Sequence, residues 1–140
     1  MAVAKLAHLA IRTRDLEATV AFYERFSGFE VVHERVDDGI RVAWLADPNA
    51  EDGFVIVVLE LPYEDLYEPA PTDHFGFELE SREAVDRVGA MARKAGSLKF
   101  GPSDAGPIVG YIVLVRDPSG NTCEFSHGQS GAERSRATRG

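Results

Sequence analysis

Cysteine is nearly absent from this 140-residue chain: Cys123 stands alone. A single thiol excludes an internal disulfide framework and any zinc site of paired cysteines, and it suits a reducing cytoplasm. Long apolar runs are missing too. The opening "MAVAKLAHLAIRTRDLE" meets charge at Lys5 and again at Arg12, too early for the core of an export signal, and no stretch approaches membrane-spanning length. The expectation is a soluble, cytoplasmic protein with no membrane partner. Basic residues are the minority sign, 15 against 23 acidic ones for a formal charge of −8. Such a chain repels a phosphate backbone, so nucleic acid is not an expected partner. The one basic concentration is the tail "SGAERSRATRG", with Arg134, Arg136 and Arg139 among small polar residues, which reads as a frayed end.

What is there is said twice. "KLAHLAIRT" alternates, with Leu6, His8 and Ala10 on one face and Ala7, Leu9 and Ile11 on the other, as a strand covered on one side does. A helix comes next: Asp15 is its expected cap, Leu16, Val20, Tyr23 and Phe26 recur along one side, and Gly28 is the stop. Three strands then complete the half, "FEVVHERV", "IRVAWLAD" and "FVIVVLELP", parted by "DDG" and "PNAEDG" turns. The second half repeats the order. "HFGFELE" opens on His74, and a helix from about Ser81 to Lys94 turns Val85, Val88, Met91 and Ala92 inward before Gly96. "SLKFGPS", "IVGYIVLVRD" and "NTCEFSH" complete it, the last two joined by a "DPSG" turn.

The predicted class is α+β, two β-α-β-β-β modules in one structural domain. Residues 1–62 form the first module, 63–72 a proline-rich linker, 73–128 the second module and 129–140 a flexible polar tail.

Each module has a histidine on its first strand, His8 or His74, and a glutamate on its last, Glu60 or Glu124. Alternation puts Glu60 with Phe54, Ile56 and Val58 on an otherwise apolar face, while Glu124 shares its face with Thr122 and Ser126. A buried carboxylate without compensation costs several kcal/mol or takes up a proton. Two imidazoles and two carboxylates repeated at matching places suit a divalent metal of the Fe, Ni, Mn, Co or Zn type. The alternative is two core histidines and two edge charges. Of the remaining residues, Arg41 and Tyr111 are candidate substrate contacts, and Tyr63 and Tyr67 candidate lid residues. His127, at odd spacing from Glu124, reads as structural, and His33 as solvent-facing.

"HLAIRTRDLEATVAFYERFSGFEVV", with its Phe22–Tyr23 pair and closing glycine, and "VRDPSGNTCEFSHG", with its Asp-Pro-x-Gly-Asn-x-x-Glu pattern, resemble the vicinal oxygen chelate superfamily over about residues 5 to 128. That group includes glyoxalase I, bleomycin-resistance proteins, fosfomycin-resistance enzymes and extradiol dioxygenases. The resemblance implies curved, half-open barrel-like sheets around a metal cavity, and a homodimer. It also implies His8, His74 and Glu124 as the recurrent ligands, with Glu60 at the fourth position of glyoxalase I. Glu124 and Glu60 are then the catalytic carboxylates of a metal-dependent isomerase or lyase acting on a small substrate with vicinal oxygens. A bleomycin-resistance-like sequestering protein and an Fe(II) dioxygenase using His8, His74 and Glu124 are the rival activities. Glu60 decides between isomerase and dioxygenase. Asn121 stands where glyoxalase I commonly has tyrosine, a departure from that pattern that leaves open whether glutathione is involved.

Overall fold

A computed structural model describes residues 2–62 and 68–129. Tyr63, Tyr67 and the three tail arginines lie outside the described residues, as do the lid and frayed-end readings placed on them. The chain divides into two compact units, Met1–Glu68 and Pro69–Gly140.

The first unit runs β1 (His8–Thr13), α1 (Leu16–Ser27), β2 (Glu30–Asp37), β3 (Ile40–Ala46) and β4 (Val55–Glu60). The second runs β5 (His74–Glu78), α2 (Arg82–Ala95), β6 (Leu98–Asp104), β7 (Tyr111–Arg116) and β8 (Thr122–His127). Each forms an open, four-stranded mixed sheet, in the orders β1-β4-β3-β2 and β5-β8-β7-β6. The outer strand that opens each unit pairs parallel to the strand that closes it, because the helix carries the chain across before the three antiparallel strands are laid down.

Local chemistry sets the helix ends. Asp15 accepts a hydrogen bond from the Ala18 amide at 3.0 Å and Ser81 one from the Ala84 amide at 3.1 Å, satisfying donors that the first turn leaves unpaired. Gly28 and Gly96 close the two helices at φ 75° and 73°, where a side chain would be strained.

Each helix covers one face of its own sheet. Phe22, Tyr23 and Phe26 of α1 are buried, as are Ile56 and Val58 of β4 and Ala43 and Leu45 of β3. In the second unit Val85, Val88 and Ala92 of α2 are buried, as are Val113, Val115, Cys123 and Phe125. Val20 and Met91, expected inward, are only half-buried, and Thr19 and Gly89 take central places instead. Thr19 can do so because its hydroxyl shares a 2.7 Å hydrogen bond with that of Thr13 at the end of β1.

The strand expected from Ile108 begins only at Tyr111. Residues 107–109 form a turn, and Gly110 stands at φ 90° where a Cβ would lie 2.4 Å from the His127 carbonyl oxygen. Only glycine allows so close an approach. The "DPSGN" turn beyond β7 is tied by Asp117: its carboxylate accepts from the Ser119 and Asn121 amides at 2.9 Å each and from the Asn121 side chain at 2.9 Å. That turn sets the register of β8, and hence the position of Glu124.

Candidate metal and ligand-binding faces

Because each helix occupies one face of its sheet, side-chain parity decides which residues are left for chemistry on the other. In the second unit His74 pairs with Thr122 and Gly76 with Glu124 across the parallel β5–β8 ladder. Paired residues share a face, so His74, Gly76, Thr122 and Glu124 all lie opposite α2. Gly76 is what makes room for the carboxylate, since a Cβ built there would stand 3.3 Å from Glu124 Oε2. Glu124 is 7% exposed as a residue. His74 is oriented from behind. Its Nδ1 donates to the Thr72 carbonyl oxygen at 2.8 Å, which fixes the proton on Nδ1 and leaves the Nε2 lone pair outward.

Lys99 belongs to the same face. From the irregular strand β6 its ammonium donates to Thr122 Oγ1 at 2.9 Å and to the Pro71 carbonyl at 2.9 Å. Sequence parity did not find it, because β6 slips register on both sides of Phe100 and strict alternation fails there.

The first unit has His8 at the place of His74, but its carboxylate is elsewhere. His8 pairs with Val55 and Ala10 with Val57, whereas Glu60 pairs with Thr13 at the far end of β1. Register therefore matches Glu124 of the second unit to Val57, not to Glu60. Glu60 also lies on the opposite face from His8, with Ile56 and Val58, toward the helix. There its Oε2 accepts the Leu16 amide at 2.8 Å and its Oε1 faces an Arg41 guanidinium nitrogen at 3.4 Å. The expectation of Glu60 as a metal ligand beside His8 is thus corrected: it caps the N-terminus of α1, where the helix dipole favours a negative charge.

Two further expectations change for the same reason. Arg41 pairs with Glu60 across β3–β4 and so points toward the helix, where it forms ion pairs with Glu17 and Glu60. The bond to Glu17 raises the arginine's pKa and lowers that of Glu17. Tyr111 pairs with His127, on the α2 side of its sheet, and donates its phenol to Asp86 at 2.5 Å beneath the Arg82 guanidinium. The Asp86 bond holds the phenol above its ordinary pKa, so it stays protonated. Neither residue faces the ligand-bearing side of its own sheet. His127 donates Nδ1 to the Leu79 carbonyl at 2.8 Å, a structural role, and His33 is exposed at the edge of the Trp44 ring.

On the His8 face lies a cavity of about 530 Å³ contained in the first unit, with Ala10, Val55, Val57 and Trp44 among its walls. Beside these strand residues it is lined by His8, Lys5, Arg35, Glu51 and Asp52, charges of both signs. The sheet repeats, but its two exposed faces have different chemistry.

The metal that the fold implies can be tested against these donors. The second unit has donors of the right chemistry: a carboxylate, Glu124, and an imidazole whose Nδ1 is engaged by the Thr72 carbonyl share one face. Among the described residues no cluster of three or more histidine, cysteine or carboxylate groups is close enough to complete a cage.

Glu60→Ala is a separable test of the cap. Removing it is expected to lower stability by about 1 kcal/mol in thermal unfolding and to leave metal affinity unchanged in calorimetric titration.

Paired β-α-β-β-β modules, each opened by a strand that begins on a histidine, define the fold class of this chain. Residues 5–125 match the Glyoxalase/Bleomycin resistance protein/Dioxygenase superfamily, and the chain belongs to it. It is 42% identical over 124 residues to the uncharacterized protein PA2024 of Pseudomonas aeruginosa, covering 89% of each chain. In fold it is similar to the trypanothione-dependent glyoxalase I of Leishmania major, with a TM-score of 0.77 at 19% identity over 97% of this chain and 95% of that one. It is also similar to a mutant fosfomycin resistance protein FosX of Listeria monocytogenes, complexed with Mn(II) and 1S,2S-dihydroxypropylphosphonic acid. That TM-score is 0.73 at 19% identity, over 96% of this chain and 99% of the other. No helix of the described residues is long and apolar enough to cross a membrane.

Proposed function

We propose that the protein is a metal-dependent enzyme acting on a small substrate with two adjacent oxygens, and that His74 and Glu124 are among its metal ligands. The observation that carries this reading is the His74–Glu124 face, with Gly76 leaving space beside the carboxylate. FosX, a relative in fold, was captured with Mn(II) and a vicinal diol, which supports the same chemistry here. A bound divalent ion supplies a fixed positive charge that polarises an attached oxygen and acidifies a neighbouring proton.

The chain's own groups have distinct tasks. The Thr72 carbonyl holds the His74 ring, so Nε2 is presented without a search over tautomers. Glu124 supplies the negative charge and is the carboxylate placed to accept a proton from substrate. Lys99 contributes a cation on the same face, suited to an anionic oxygen. With Val57 in place of a fourth ligand, a scheme that passes a proton between two opposed carboxylates lacks its second member.

That substitution favours a second reading within the family, an oxygen-using dioxygenase, because fewer protein ligands leave more coordination positions for substrate and oxygen. Loading metal-free protein with Fe(II), Mn(II), Ni(II), Co(II) or Zn(II) in turn separates the two. Oxygen uptake with catechol under iron supports the dioxygenase. Turnover of a methylglyoxal–thiol adduct under nickel or cobalt supports the isomerase. Failure to bind any of the five metals would refute the enzyme reading and leave sequestration.

A homodimer is part of the proposal. The edge strand β2 exposes Val31, Val32 and Val36, apolar surface that a second copy would cover. Light scattering should give twice the chain mass at micromolar concentration; a monomer would contradict it.

A further inference from the structure

Behind His74 runs a short chain of hydrogen bonds that starts on another strand of the second unit. Ala70 to Asp73 form a turn, closed by the Asp73 amide donating to the Ala70 carbonyl at 3.0 Å, with proline at the second place that such turns favour. The next two carbonyls have different partners. That of Thr72 accepts from His74 Nδ1 at 2.8 Å, and that of Pro71 accepts from the Lys99 ammonium at 2.9 Å. The same ammonium donates to Thr122 Oγ1 at 2.9 Å, and Thr122 is the residue paired with His74 across β5 and β8. One cation thus fastens the turn that leads into β5 to the strand beside it. Pro71, Thr72, Asp73 and His74 are all exposed, so packing does little to hold them and hydrogen bonds must.

We infer that Lys99 is a positioning residue, which sets the tautomer and direction of His74 through the turn at Pro71 and Thr72. Rotation of the central peptide is what interconverts the two common turn types, so a donor fixed on the Pro71 carbonyl selects one of them. The Thr72 carbonyl follows in the chain and is then held where it accepts from Nδ1, leaving Nε2 as the free ring nitrogen. Lys99 itself touches neither His74 nitrogen. The inference rests on the proposed function only in taking Nε2 for a metal ligand; the hydrogen bonds need no metal.

The experiment uses metal-free, full-length protein labelled on its histidine nitrogens, whose NMR shifts report which ring nitrogen carries the proton, at a pH where the imidazoles are neutral. His74→Gln assigns the signal. In the wild type His74 should be almost wholly the Nδ1–H tautomer. Lys99→Met retains the stem without the donor and should lower the ratio of Nδ1–H to Nε2–H about 5-fold, the weight of one ordinary hydrogen bond, with Lys99→Arg restoring it and circular dichroism unchanged. His127 is the control, because its Nδ1 is bonded to the Leu79 carbonyl in the same unit, a bond in which Lys99 has no part. A wild-type His74 of mixed tautomers, an unmoved His74 in Lys99→Met, or equal changes at His74 and His127 would overturn the inference. Metal affinity is read separately, because removing a nearby positive charge favours a divalent cation while freeing His74 disfavours it. Wild-type protein that takes up none of the five metals, with a tautomer that still follows Lys99, would refute the metal centre and leave this inference standing. Metal uptake with an unmoved tautomer in Lys99→Met would do the reverse.

Discussion

Replacing His74 with alanine is expected to weaken divalent-metal binding by at least about 100-fold, since loss of an outer-sphere partner alone commonly costs 10- to 100-fold. The side chain is exposed and its one described bond is to the Thr72 carbonyl, so the variant should fold and keep its melting temperature. Its effect therefore falls on the site. A calorimetric titration with Zn(II) or Co(II) checks it. Undiminished affinity would remove His74 from the centre and with it the proposed function.

Phe125→Ala should produce the largest loss of stability. Phe125 is fully buried on β8, one residue from Glu124 but on the opposite face, and its ring stacks on Phe77 with centroids 5.1 Å apart and planes 14° from parallel. Truncating a buried phenylalanine costs about 3–5 kcal/mol, a large part of the 5–15 kcal/mol by which most domains are stable. Chemical denaturation should show the midpoint falling accordingly, and Phe125→Leu should recover much of the difference. A loss below about 1 kcal/mol would mean that the second sheet is not held by this stack.

The two helices, the Asp15 cap, the two glycine stops and the doubled module order were legible in the sequence because each rests on local chemistry. Asp15 and Ser81 cap the starts of the helices, Gly28 and Gly96 close their ends, and alternation divides each strand into two faces. The relation between strands was harder to read. "LEL" around Glu60 and "CEF" around Glu124 look equivalent as text, yet nothing within either strand states which residue of β1 or β5 lies beside it. Pairing decides that, and it places Val57 beside Ala10 and Glu124 beside Gly76. A one-residue change in register exchanges the faces of a strand, and pairing sets Glu60 beside Thr13 and Arg41 beside Glu60, on the face away from His8. Bulges hide residues in the same way. The break between Val31 and His33 brings Arg35 onto the Trp44 face, and the irregular pairing of β6 brings Lys99 to Thr122.

The central claim is that Glu124 is a metal ligand and Glu60 a helix cap. Cobalt absorption spectra of the wild type, Glu60→Ala and Glu124→Ala test it most directly, because the visible bands of cobalt change with coordination number and ligand type. The wild type and Glu60→Ala should give the same spectrum, and Glu124→Ala an altered or absent one. A changed spectrum in Glu60→Ala with an unchanged one in Glu124→Ala would contradict the account.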